Sequence, residues 1–592
     1  MTALALAGVA GVGLYRSRRA MLGQALGLRP PEHAVTFVRA VPIRMPDGVT
    51  LFADHCRPKT PGTYPTILIR TPYGRPSETR IFGPFSSMPG PEFFAERGYH
   101  VIVQGTRGRF HSEGAFEPFL HEQADGHATL AWIAAQPWFD GNLGMWGASY
   151  LGYTQWAVAA DAPPFLKAIV PVTTSAHFAR SFNPAGSFSY ESALRWTNYL
   201  KATDLPGRTL SFTALHQAFA PRREALLYRV MDALPFVAAD AATVGATVPF
   251  FQHWLAEPAI DGPYWRTVDH QRSLGRINAA VHLVAAWHDL FLAEQLADYT
   301  TLLAAGRSPY LTVLPRYHTE LALLFDSVRE GLWWFDAHLK GQRELLERRA
   351  VRVALMGSRE WHAMDFWPPP ASMVRFLLHA EGGLATTLPS FPAPQSISRY
   401  RYNPHDPTPA LGGPVLSPQA GARDQRPLEA RPDVLTFTTA PLAAAVDVIG
   451  HVRLELYVRS SLPHTDFVGR LCVVRPDGHS HNVCEGLIRV SPGVGEPQPD
   501  GSLRLVLDLS ATAMRFGAGD RIRLHVASGA HPRWSANSGD GRPLHAGAPA
   551  GVVADQMLYH DPSHPSALVL PVVSAETWRA MAGASQQAGR SM

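Results

Sequence analysis

One serine and its neighbours constrain this chain more than any other feature. Ser149 stands in Gly144-Met145-Trp146-Gly147-Ala148-Ser149-Tyr150-Leu151-Gly152, between a short apolar run and the Ala-rich segment Thr154–Ala160. Small residues crowd a serine where a strand would turn sharply into a helix. A nucleophile elbow has these needs: close backbone approach, a strained serine, and a helix N-terminus aimed at a developing oxyanion. The common spacing G-x-S-x-G would put glycine at 151, where this chain has leucine; the glycine comes one residue later, at 152. In a chain with 49 glycines such a stretch reads equally well as an ordinary turn. The surrounding pattern has to decide.

That pattern is one of short apolar runs separated by helical stretches. Val35–Ile43 and Thr50–Asp54 flank the turn Met45-Pro46-Asp47-Gly48, a hairpin signal. Thr66–Arg70, Tyr99–Val103, the run before Ser149, Phe165–Val172, Ala279–Ala285 and Tyr310–Leu314 then alternate with helical segments such as Glu92–Arg97 and His121–Ala135. Such alternation predicts a mainly parallel sheet covered on both faces. Residues 177–272 break the rhythm with aromatic, helical segments (Ser192–Lys201, Ala214–Asp232), and read as a cap inserted between two strands. Beyond Trp367-Pro-Pro-Pro370 and Leu388–Pro394, which resemble a linker, come short β-patterned pieces from Val434–Thr438 to Ala567–Val573 divided by Gly, Pro and Asp turns. These predict an all-β sandwich in jelly-roll style. The expected division is a leader over residues 1–34, an α/β domain over 35–176 and 273–372, a helical cap over 177–272 and a β-sandwich over 385–592.

Composition narrows the partners. At 592 residues the chain exceeds one core, and 46% hydrophobic residues supply material for several. A formal charge of +4 and only four lysines (Lys59, Lys167, Lys201, Lys340) make nucleic acid and acidic membrane surfaces poor partners. The three cysteines, Cys56, Cys472 and Cys484, form neither a disulfide framework nor a CxxC pair, which fits a reducing compartment. HExxH does not occur, and His479-Ser-His481 lies in a polar turn that reads as exposed loop, so no metal is expected. No cofactor is expected either. The apolar stretch Thr2–Tyr15 precedes its arginines and is shorter than the roughly 20 residues of a membrane span. A cytoplasmic protein is expected, with N-terminal membrane association left open. A homodimer is left open too.

In an open parallel sheet, functional groups collect past the carboxyl ends of strands. Thr66–Arg70 leads to Pro72-Tyr73, the run before the elbow to Ser149, Ala279–Ala285 to Trp287-His288-Asp289, and Tyr310–Leu314 to Pro315-Arg-Tyr-His318. The chain order Ser149, Asp289, His318 is that of α/β-hydrolases. His318 would act as general base, its imidazole having an ordinary pKa of about 6.5. Asp289 would fix the tautomer and stabilise the imidazolium. His288 would point away along extended backbone, His111 reads as a loop residue, and Asp140 reads as an Asx-turn. The oxyanion donors would be the Tyr150 backbone N–H and the Tyr73 phenol.

Arg70-Thr-Pro-Tyr73, Gln104-Gly-Thr-Arg-Gly108, Ser112-Glu-Gly114, Asp140-Gly-Asn142, Gly147-Ala-Ser-Tyr-Leu-Gly-Tyr-Thr-Gln-Trp156 and Trp287-His-Asp289 together resemble the cocaine esterase-like hydrolases. That family also takes in α-amino-acid ester hydrolases, glutaryl-cephalosporin acylases and X-Pro dipeptidyl-peptidases. Its nucleophile motif is G-x-S-Y-x-G, which accounts for Gly152. The resemblance continues through Thr465-Asp-Phe467, Pro476-Asp-Gly478 and His564-Pro-Ser566. It implies an α/β-hydrolase core, a helical cap and a C-terminal jelly-roll, with serine esterase, acylase or peptidase activity on small esters or amides. It also implies an acyl pocket lined by Phe182, Trp196 and Phe291, with phenylalanine at 182 where tryptophan is common. Gly105 stands where the family loop usually has aspartate. A peptidase or acylase would need carboxylates to hold a substrate amine, and Glu191 is the one at hand in the cap. Outside enzymes, the alternative is a carbohydrate-binding sandwich attached to an inert hydrolase core.

Overall fold

Near-continuous apolar runs become strands buried on both faces. In the computed structural model, which describes residues 20–78, 90–203, 221–233, 235–387, 397–546 and 551–578, they build one ten-stranded sheet. Its strands are β1 (Val35–Arg44), β2 (Thr50–Pro58), β3 (Tyr64–Thr71), β4 (His100–Gly105), β5 (Phe139–Ala148), β6 (Leu166–Val172), β7 (Ala280–His288), β8 (Tyr310–Tyr317), β9 (Val351–Ala354) and β10 (Trp361–Met364). The spatial order is β1-β2-β4-β3-β5-β6-β7-β8-β9-β10. From β4 to β9 every pairing is parallel, while β1, β2 and β10 attach by antiparallel pairing at the two edges. The period of two sends Ile67 and Ile69 into one core with Trp146 and Phe335, and Leu68 into the other with Met145 and Leu296.

The cap is inserted between β6 and β7. Its helices include Phe178–Phe182, Tyr190–Ala202, Pro221–Asp232, Ala239–Val244, Pro249–Ala256 and Pro263–Thr267. The start of the expected helix Ala214–Asp232 lies outside the described residues, as do residues 1–19 of the expected leader and 388–394 of the expected linker. Aromatic packing binds the cap together: Trp254 meets Phe182 at 4.5 Å and Trp265 at 6.0 Å between ring centroids.

The C-terminal part is a sandwich of an eight-stranded and a four-stranded sheet. Leu454, Leu507 and Leu568 from the larger sheet share a core with Leu471, Leu524 and Val526 from the smaller. The sandwich starts earlier than expected. Residues 373–384 lie between the two expected domains, after the linker-like prolines, yet strand Ser372–Leu378 pairs from Ser372↔Val572 to Leu377↔Ala567. The prolines 368–370 precede the strand and so remove no hydrogen bond from its ladder. Backbone bonds Met356 N–H to Ala513 O and Arg515 N–H to Met356 O tie sandwich to α/β domain.

The entry into the cap is held by a buried acid. Asp298, on the helix Leu292–Ala304, accepts the Ala176 N–H at 2.8 Å and is 0% exposed. Burial pushes its carboxyl up to about 8, despite that hydrogen bond and one from Gln271. Between the ordinary carboxyl pKa and about 8 the folded state therefore binds a proton that the unfolded state has released. Stability from this group is complete below the ordinary value and is lost as pH rises through about 8. Asp298→Asn is expected to flatten the decline in urea midpoint between pH 4 and pH 8, measured at roughly one-unit steps. An identical slope in the variant would assign the decline to other groups.

Candidate active site

Ser149 sits between β5 and the helix Tyr150–Ala159 with φ 58° and ψ −123°, a conformation strongly disfavoured for a side-chain-bearing residue. Two glycines permit it. Gly147 has φ +154°, and a Cβ there would lie 2.4 Å from Leu151 Cβ. A Cβ on Gly152 would lie 2.5 Å from Thr174 Cγ2. Thr174 in turn donates its hydroxyl to the Ser149 carbonyl at 2.8 Å. The glycine is at 152 because Thr174 crosses there, whereas position 151 faces Gly147 and accepts a leucine.

Asp289 and His318 come together from the ends of β7 and β8. His318 Nδ1 lies 2.6 Å from Asp289 Oδ2, and the other carboxylate oxygen accepts the Phe291 N–H at 2.8 Å. The Asp289 side chain is 1% exposed, so its charge depends on these two partners. His318, Ser149 and Tyr73 line one cleft. The competing residues are engaged elsewhere. His111 Nδ1 lies 2.8 Å from Glu78, and Asp140 accepts the Asn142 N–H at 2.8 Å in an Asx-turn. Burial holds the His288 imidazole down to about 4, in a cavity shared with Glu485. His479 lies 3.2 Å from Asp477 in an exposed turn and stacks on His481.

The Tyr73 phenol accepts the Trp196 indole N–H at 2.9 Å and lines the same cleft as Ser149. Burial raises its pKa well above the ordinary phenol value, so at neutral pH it carries its proton. With Trp196 donating to it, the phenol keeps its own O–H for a further acceptor. The Tyr150 N–H is the first of its helix, and such a group has no intrahelical acceptor. Positive charge from the helix end and the phenol proton thus bear on the same small volume.

The cleft is aromatic. Phe182, Trp196 and Phe291 line it with Phe119, Phe178, Leu290 and Leu416. Trp196 stacks on Phe119 at 5.9 Å and on Trp254 at 5.7 Å, and the Phe291 ring lies 5.5 Å from that of His318. Phe119 and Phe178 flank segments singled out in the sequence, but no motif marks either of them. Leu416 carries no sequence signal, because it reaches the cleft from the sandwich part of the chain.

The description "X-Pro dipeptidyl-peptidase (S15 family)" matches residues 47–320, and that of the X-Pro dipeptidyl-peptidase C-terminal non-catalytic domain matches residues 347–569. The chain is 31% identical to the cocaine esterase of a Rhodococcus species over 582 residues, covering 90% of this chain and 98% of that one. It belongs to the cocaine esterase-like S15 family of hydrolases. An α-amino-acid ester hydrolase shares the fold at a TM-score of 0.77 with 22% identity, over 92% of this chain and 97% of the other. So does an aminopeptidase from a marine sediment Thaumarchaeota archaeon, at 0.76 with 20% identity and the same coverage. The chain is therefore an enzyme with an α/β-hydrolase core, cap and C-terminal β-domain, and the reading of an inert core is set aside.

In this cocaine esterase-like hydrolase a buried ion pair braces the elbow, one that motif reading did not single out. Arg70 Nη1 lies 2.8 Å from Glu122 Oε2, and the Tyr150 phenol donates to Glu122 Oε1 at 2.8 Å. The Phe119 N–H donates to that same phenol at 3.0 Å. Burial pushes the Glu122 carboxyl above its ordinary value even with Arg70 against it. Nearby, Ser112 donates to the Gly105 carbonyl at 3.0 Å, and a Cβ on Gly105 would meet the Ser112 hydroxyl at 3.1 Å. Arg70→Met would strand a carboxylate in the core. It is expected to cost about 3–5 kcal/mol in urea unfolding, and Glu122→Gln in the same chain should recover part of the loss. No recovery would mean that Arg70 contributes packing rather than charge.

Proposed function

We propose that the protein is a serine esterase that cleaves small esters of compact or aromatic carboxylic acids through an acyl-enzyme on Ser149. The carrying observation is the pairing of His318 with Asp289 at 2.6 Å, in a cleft that also holds Ser149 and Tyr73. His318 takes the Ser149 hydroxyl proton as the oxygen attacks the ester carbonyl, and Asp289 stabilises the imidazolium that forms. The oxyanion receives the Tyr73 O–H and the Tyr150 N–H. His318 returns the proton to the leaving alcohol oxygen. A water then repeats the sequence and releases the acid.

Two features favour an ester over a substrate carrying a free amine. None of the residues lining the cleft is aspartate or glutamate. Glu191 is committed as well: it accepts Arg195 Nε at 2.5 Å, the Ser192 hydroxyl at 3.1 Å and the Leu416 N–H at 3.1 Å. The aromatic lining suits an aryl or compact acyl group. Among the described residues no helix is long and apolar enough to cross a membrane, so binding to a surface would fall to segments other than these helices.

Ser149→Ala is expected to abolish p-nitrophenyl ester turnover and fluorophosphonate labelling while leaving the melting temperature close to that of the parent. Turnover retained by this variant would overturn the proposal. Tyr73→Phe should lower kcat by on the order of 10²–10³ with little change in KM. A kcat equal to the parent's would assign the oxyanion to other donors. A neutral ester should also be turned over much faster than an N-terminally free dipeptide amide; the reverse order would point to peptidase activity.

A further inference from the structure

Sheet and cap meet at the Tyr73 phenol. Tyr73 lies just past the end of β3, and the Trp196 indole that donates to it belongs to the cap helix Tyr190–Ala202. One neutral hydrogen bond is a weak tie between elements that arrive from different parts of the chain. A second tie joins the same two elements. Arg109, in the loop after β4, donates from Nε to the Pro72 carbonyl at 2.9 Å, in the peptide that leads into Tyr73. Its Nη2 donates to the Leu200 carbonyl at 3.2 Å and to the Thr203 hydroxyl at 3.0 Å.

Each end of this bridge suits a guanidinium. Leu200 stands one turn beyond Trp196 on the same face of the helix, and Thr203 is its C-terminal cap. The last carbonyls of a helix run short of intrahelical donors, and the helix dipole favours a cation beside them. The Thr203 hydroxyl gives its own proton to the Tyr199 and Leu200 carbonyls, both at 3.0 Å, so it meets Arg109 as an acceptor. At the other end the peptide between Pro72 and Tyr73 is planar, and both its polar atoms are held. Its oxygen accepts from Arg109, and its N–H donates to Thr71 Oγ1 at 3.1 Å. The bridge is internal: Arg109 is buried, with its guanidinium 5.2 Å from the centroid of the Phe116 ring and 5.6 Å from that of Phe110. The Tyr199 ring, from the same helix, meets the Tyr73 ring edge-on at 5.5 Å. Arg109 itself does not line the cleft.

Resting on the reading of Tyr73 as an oxyanion donor, we propose that Arg109 is the positioning residue for that donor. It clamps the Pro72–Tyr73 peptide to the C-terminal end of the cap helix, and so keeps the phenol in register with Trp196 and with the elbow. Arg109 touches no reacting atom and acts through Tyr73. The seat of the cap on the sheet is thereby coupled to the rate of the chemical step.

A double-mutant cycle on p-nitrophenyl ester turnover separates positioning from packing. Arg109→Met should lower kcat about tenfold with KM within about twofold of the parent's. Thr203→Val, which removes one acceptor and leaves the rest of the bridge, should lower kcat by about threefold. Each substitution is then added to Tyr73→Phe, where kcat should change by less than about twofold, because no phenol proton is left to place. An equal loss with and without the Tyr73 hydroxyl, a change confined to KM, or parent kcat in both variants would overturn the proposal. If Arg109→Met does not fold, as judged by its melting curve, the Thr203→Val cycle decides by the same criteria. Tyr73→Phe alone reports on the oxyanion reading. Parent kcat in that variant would remove the donor and the role of Arg109 with it, whereas a full Tyr73→Phe loss without coupling would strike only Arg109.

Discussion

The site depends on one residue being held where its backbone would not choose to be. A non-glycine residue at the conformation of Ser149 costs on the order of 1–3 kcal/mol and persists only when its surroundings over-determine it. Here they do so from every side. The Ser149 N–H bonds to the Val172 carbonyl at the end of β6, and its carbonyl takes the Thr174 hydroxyl and begins the following helix. Gly147 and Gly152 remove the Cβ atoms that would collide with Leu151 and Thr174. All ten residues of the helix Tyr150–Ala159 are buried, so it has no room to relax the turn. The strain therefore sits on a rigid mount, which is the condition for a serine oxygen to stay exposed above a packed sheet.

The second demand is electrostatic. Asp289, Glu122, Glu191 and Asp298 are all buried carboxyls within this region, and each has a different answer to desolvation. Asp289 is matched to a histidine and a backbone N–H, one on each carboxylate oxygen. Glu122 has a permanent cation, suited to a fixed strut. Asp298 keeps its proton to about 8 and acts as a hydrogen-bonding group rather than as a charge. The same side chain is thus a histidine's partner, a brace or a neutral pin according to what surrounds it.

Local chemistry made much of this readable in advance. The α/β alternation, the hairpin at Met45–Gly48 and the strand ends carrying Tyr73, Ser149, Asp289 and His318 depend on short-range pattern, and the structure brings Tyr73, Ser149 and His318 to one cleft with Asp289 paired to His318 behind it. What stayed hidden depends on contacts across the chain. Strand Ser372–Leu378 was obscured by the prolines before it, and its partner lies almost two hundred residues on, at Ala567–Val573. The Arg70–Glu122 pair joins a strand to a helix 52 positions away, and neither residue lies in a pattern that marks it as buried. Leu416 enters the cleft from a loop whose sequence carries no periodicity at all.

Leu416 also shows why the sandwich is more than an appendage. Its N–H donates to Glu191 of the cap, which Arg195 also pairs, so the same bond that helps satisfy Glu191 sets Leu416 beside the cleft. Glu191 donates its own N–H to the Pro532 carbonyl of the sandwich, and His531 beside it reaches the Met231 carbonyl in the cap at 2.9 Å. Cap and sandwich are thus locked to one another as well as to the sheet that carries Ser149. A cleft walled by two separate parts of the chain can change shape through substitutions in either, while the elbow and the Asp289–His318 pair remain untouched. That separation leaves the α/β core to hold the Ser149 elbow constant and the junction with the sandwich to set the shape of the cleft beside it.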